Sequence, residues 1–245
     1  MDADRALDRR PLPRGLRWAA IVFALGFPSL LTWVYFIALD GHAAGIQQAA
    51  YVVGKTIQFV FPAFWVFVVE RQRLERLALS GRGLMLGIAF GTVISAAMFG
   101  AYFGGLANSN VMLSAAAIVR QRLASFGVTN PAVMIAAGAF YAIIHSLLEE
   151  YYWRWFAFGE LRRLVSLRTA IVVSSLAFTG HHVIVLVKYL PEMPWWPLAS
   201  LAVAIGGAAW AWLYHRSRSL LAPWISHAIV DAALFAIGYS MAFGP

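Results

Sequence analysis

Residues 131–158 read PAVMIAAGAFYAIIHSLLEEYYWRWFAF. As far as Leu148 the stretch carries no formal charge, which is nearly enough apolar chain for a helix to cross a bilayer. It then sets Glu149 and Glu150 side by side among aromatics, with Arg154 one turn on. Ionisable groups in hydrocarbon are costly and are kept where they have internal partners and a task. The stretch therefore reads as a membrane span that contains chemistry.

The rest of the 245 residues agrees. Hydrophobic residues make up 61% of the chain and charged residues 12%, too little polar surface to cover a soluble protein of this size. Continuous Ala-, Leu- and Val-rich runs satisfy their backbone as helices rather than as the alternating strands of a barrel. The expected fold is all-α, a polytopic bundle of about seven spans: Trp18–Leu39, Ala50–Val69, Leu84–Leu106, Pro131–Phe158, Thr169–Leu190, Trp195–Tyr214 and Leu220–Phe243. Val111–Phe126 is short and carries Arg120 and Arg122, so it is expected as an interfacial or re-entrant helix, with an eighth span as the alternative. This gives a basic segment over 1–17, a first membrane half over 18–130 and a second over 131–245.

The net charge of +8 reflects 17 Arg and 2 Lys against 11 acids. Arginines after the second, fourth and sixth spans share a side with those of residues 1–17, and that side is expected to be cytoplasmic. High Ala and Arg with scarce Lys suggests a GC-rich bacterial genome, and hence a bacterial plasma membrane. With no cysteine, disulfides, thiolate metal sites and cysteine nucleophiles are excluded. No soluble basic domain exists to bind nucleic acid. Gly87–Gly91 and Gly100–Gly104 have the spacing of close helix contacts. Lys55 is expected to snorkel outward.

The polar residues inside spans cluster late: His145, Glu149, Glu150 and Arg154 in the fourth, His181 and His182 in the fifth, His227 and Asp231 in the seventh. Glu150 and Arg154, four apart, can pair on one face. Glu149 projects about 100° away and is free to act as a general base. Of the adjacent histidines, at most one is expected to face it. His227 and Asp231 share a face, either as a hydrogen-bonded pair or as two metal ligands. His145, one turn before Glu149, is a supporting candidate. On these boundaries His182 lies about 20 Å from the arginine-rich side and His227 about 10 Å. The motifs meet only if spans tilt or the long fourth span slides in register.

Glu149-Glu150-x-x-x-Arg154, Phe178-x-x-x-His182 and His227-x-x-x-Asp231 together resemble the CPBP family. These are the CAAX-prenyl-protease-like and bacteriocin-processing membrane proteins, often labelled Abi, whose pattern is EExxxR, FxxxH and HxxxN or HxxxD in that order. The resemblance implies an intramembrane endopeptidase acting on a membrane-associated peptide or lipidated protein. It implies Glu149 as the base that activates water, His182 rather than His181 as its partner, and His227 and Asp231 completing the site, supported by Glu150 and Arg154. A single divalent metal such as zinc is the implied cofactor if the enzyme is metal-dependent, on His182, His227 and Asp231. The competing readings are a non-enzymatic scaffold or immunity factor with the same fold, and a proton-coupled transporter.

Overall fold

The computed structural model describes residues 12–72, 81–191 and 195–244. Expectations resting on residues 1–11, Arg73 and Arg76 lie outside them. Among the described residues there is no strand, and seven helices are long and apolar enough to cross a membrane. They are α1 (Arg14–Ala38), α2 (Gly45–Val69), α3 (Gly83–Leu106), α5 (Pro131–Arg162), α6 (Leu167–Tyr189), α7 (Trp196–Ser217) and α8 (Leu221–Phe243). Between α3 and α5 lies α4 (Asn110–Ser125), the expected short helix, whose first turn is capped by Ser109. Near its end Arg120 donates to Met241 O at the end of α8, and Arg122 to Tyr189 O at the end of α6.

Contacts sort the loops onto two sides. On one, Arg17 and Arg163 join Glu70 and Glu160. On the other, Lys188 pairs with Asp40, beside the α4 arginines. This is the grouping the arginine pattern implies.

Two boundary corrections matter. The fourth span does not stop at Phe158 but runs to Arg162, because Glu160 is held in a buried ion-pair cluster rather than in water. And α8 begins inside the bundle. A Cβ on Gly87 would sit 2.3 Å from Ala222 O, and one on Gly91 3.0 Å from Ser226 O. Only glycine lets α3 and α8 approach so closely. Ser95 Oγ then donates to Ile229 O at 3.2 Å further along the same seam. Ala222 is thus level with a point roughly 6 Å into α3. Gly100 and Gly104, which share the spacing, have nothing within 4 Å and carry no such contact.

These facts narrow the depth difference. Glu149 stands roughly 20 Å from the end of α5 and His182 roughly 22 Å from the start of α6. His227 adds its own roughly 9 Å to the recessed start of α8.

The helix carrying the glutamates is irregular. Phe140–His145 and Tyr151–Phe158 are π-helical, with a short α-helical piece, Ser146–Glu150, between them. Wide turns of this kind concentrate at functional sites. Trp224 of α8 donates its indole N–H to Ile143 O within the first wide turn, tying α8 to α5.

Candidate active site

Three spans bring their motifs to one buried point. On α5, Glu150 is fully buried and its Oε2 lies 3.1 Å from Arg154 Nε. The Arg154 guanidinium also lies over the Phe178 ring at 4.7 Å. The other oxygen, Oε1, accepts from His227 Nδ1 at 2.8 Å. Glu150 is therefore committed on both sides.

Glu149, on the next face, meets only imidazoles among the described residues within ion-pair distance. His145 Nε2 and His181 Nε2 stand 3.4 and 3.5 Å from its Oε1, and His227 Nε2 stands 3.8 Å from its Oε2. Asp231 Oδ1 is 3.6 Å from His227 Nε2.

On α6 the two histidines depart from expectation. Both, not one, reach the centre: Glu149, His181 and His182 each offer a ligand atom, all within 4.8 Å of one another. Adjacent side chains diverge by about 100°, but Glu149 lies between the two directions. His182 Nδ1 donates to Phe178 O at 3.0 Å, which leaves its Nε2 as an acceptor if the ring is neutral. His181 stacks on Trp153, with a 3° angle between the rings. Its Nδ1 is buried with no hydrogen-bond partner among the described residues.

The sequence reading missed one further residue. Trp210 of α7 stacks on His227 with centroids 3.8 Å apart and donates its N–H to Ser226 Oγ at 3.1 Å, fixing the imidazole's plane. A tryptophan in mid-span, away from the interfacial belts where that residue gathers, was the available signal. Lys55, expected to snorkel outward, is half-buried, its Nζ donating to Gln58 Oε1 at 3.2 Å and lying over the rings of Tyr51 and Phe59.

Two nitrogen ligands and one oxygen suit a zinc-like ion with an open position. The unpartnered His181 Nδ1 is a further polar atom with no protein partner to satisfy it. The residues present therefore fit a metal. The set implied by the resemblance shares His182 with this one.

Fold and site define the class: a polytopic helical membrane protein with a glutamate–histidine centre buried among its spans. Residues 130–233 match the family described as Type II CAAX prenyl endopeptidase Rce1-like, which is the CPBP/CAAX protease family that the three motifs resemble. No curated protein and no solved structure matches the chain.

Proposed function

We propose that the protein is an intramembrane endopeptidase that hydrolyses a peptide bond in a membrane-associated or prenylated peptide, with residues 131–245 as its catalytic core. The observation that carries the reading is the division of labour between adjacent glutamates. Glu150 is tied to Arg154 and His227, while Glu149 has only imidazoles around it. A carboxylate locked to a guanidinium is a poor proton shuttle; one among histidines can take and return a proton.

In this reading the Glu149 carboxylate takes a proton from water as the water oxygen attacks the scissile carbonyl carbon. When the C–N bond breaks, the same proton passes from Glu149 to the departing amine. His182, with its Nε2 lone pair, holds the attacking water. His227 spends its Nδ1–H on Glu150, so as an imidazolium it donates from Nε2 to the carbonyl oxyanion. Asp231, an acceptor when ionised, orients that edge of the ring. Trp210 holds the ring plane, and His145 and His181 accept or relay charge around Glu149.

A divalent metal held by Glu149, His181 and His182, or by His182, His227 and Asp231, would polarise the scissile carbonyl and its water. Stoichiometric zinc in the purified protein, lost in His182→Ala, is the result expected of such a site. The arginine-rich side is proposed as cytoplasmic, in a bacterial plasma membrane.

The test compares protein termini by mass spectrometry in host cells carrying wild type or Glu149→Gln at matched membrane levels. New termini that require Glu149 are the expected result. With the substrate expressed, identical termini in the two would move the assignment to a non-enzymatic scaffold.

A further inference from the structure

The short helix α4 ends between the two spans that carry the histidines. Arg120 Nη1 donates to Met241 O of α8 at 2.8 Å, and Arg122 Nε to Tyr189 O of α6 at 3.0 Å. Side chains two residues apart leave a helix about 160° apart, so the two arginines reach in nearly opposite directions. Both acceptors are carbonyls of a last helical turn, where the helix supplies no partner of its own. Pro245, four residues on from Met241, has no N–H to give it. A guanidinium at such a place satisfies the carbonyl and meets the negative end of the helix dipole. The ring of Phe126, the residue after α4, lies 5.1 Å from that of Tyr189 and adds an apolar contact at the same junction. These two arginines are the only charged residues of α4.

What α4 joins is the two halves of the histidine set. α6 supplies His181 and His182, and α8 supplies His227 and Asp231. α6 packs along α1, α5 and α7, and α8 along α3, α5 and α7. The two helices meet where Phe178 faces His227, with ring centroids 6.3 Å apart. His182 lies roughly 10 Å back from Tyr189, and Asp231 roughly 15 Å back from Met241. Helices this short move as rods, so a shift at either end is felt at the centre. His181 Nε2 stands 3.5 Å from one oxygen of Glu149, and His227 Nε2 3.8 Å from the other. Moving α6 from α8 therefore changes both contacts of a single carboxylate.

We propose that Arg120 and Arg122 are positioning residues for the reaction. As a two-ended brace, they set the separation of α6 from α8 and with it the spacing of the α6 and α8 histidines around Glu149. This rests on the proteolytic reading above. Both arginines act through the helices they hold, from the far ends of those helices.

The test has a distance and a rate. The chain has no cysteine, so Val187→Cys on α6 and Ala236→Cys on α8, both exposed positions, take one spin label each in the full-length protein in detergent. Arg120→Ala, Arg122→Ala and the double variant are each expected to lengthen and broaden the label-to-label distance. With an S-farnesyl peptide ending in Cys-Val-Ile-Met as substrate, kcat per folded molecule falls about tenfold while KM stays within about twofold, since a small misplacement far from the chemistry acts on the chemical step. A brace fails when either end is released, so the double variant loses no more than about twofold beyond a single one, whereas independent anchors would multiply their losses. Arg122→Lys keeps a cation at the Tyr189 carbonyl and retains most of the rate. If the double variant does not fold, the single variants and Arg122→Lys carry the test. An unchanged distance, multiplied losses, or a lower unfolding temperature with kcat unchanged overturns the proposal. Failure of the proteolytic reading looks different: wild type does not cut the peptide, while the label distance still lengthens in the arginine variants.

Discussion

Two places in this bundle bury a pair of carboxylates, and they are built oppositely. At the arginine-rich face, Glu70 and Glu160 meet Arg17 and Arg163, and each arginine touches both acids at 2.7–2.9 Å. Deep within the spans, Glu150 alone holds a guanidinium, that of Arg154, and the remaining contacts of Glu149 and Glu150 are histidines. The first cluster balances two negative charges with two permanent positive ones. It stitches α1, the end of α2 and the end of α5 together. The second leaves one carboxylate among groups that titrate. Crossed ion pairs hold a fold, whereas imidazoles around a carboxylate let protons move.

The comparison is broken most forcefully at Glu149. Glu149→Gln is expected to lower kcat by about 10³-fold, within the range of general acid–base catalysis, with no loss of thermal stability. A fall in unfolding temperature matching the loss of activity would put Glu149 with the structural pair instead. Gly87→Leu tests the seam that sets the depth of His227. A side chain there meets Ala222 backbone at 2.3 Å, and overpacking of this kind costs about 3 kcal/mol. Thermal unfolding in detergent checks it, and the surviving folded fraction should cleave slowly because His227 is displaced.

Glu160→Gln is the counterpart of Glu149→Gln at the arginine-rich face. It leaves Arg17 and Arg163 sharing one acid. Breaking a fully buried pair costs about 3–5 kcal/mol; since Arg163 is 41% exposed and can turn to water, about 2 kcal/mol is expected here. The unfolding temperature should fall while kcat per folded molecule stays within about twofold, the reverse of the Glu149 result. The smallest effect is that of Trp210→Phe, which keeps a ring against His227 but removes the N–H to Ser226 Oγ. Loss of one hydrogen bond of about 1 kcal/mol should lower kcat about fivefold with KM little changed. An unchanged kcat would remove Trp210 from the positioning of His227.

Much of the fold was legible because hydrocarbon imposes a simple rule. Apolar runs long enough to cross a bilayer must be helices, so the seven spans could be counted and the ends that lie together grouped from the charges. The ends were harder. Glu160 fell past the expected end of the span at Phe158, yet it lies inside α5 because its partners come from α1 and from the segment after α5. The site was legible as motif spacing, and Glu150–Arg154 and His227–Asp231 fall on shared faces as helical geometry requires. His181 was not. The facing of the α6 histidines depends on where Glu149 stands.

What the sequence determined by itself is what short-range physics controls: helical state from the need to satisfy backbone groups in lipid, and i,i+4 pairing within one helix. What only the tertiary structure decided is how deep each helix starts and which faces meet. Close packing at Gly87 and Gly91 recesses α8, the ion pairs of Glu160 lengthen α5, and wide turns flank the glutamates. Those three adjustments bring residues from separate spans within 4 Å of Glu149, and each depends on contacts between residues far apart in the chain.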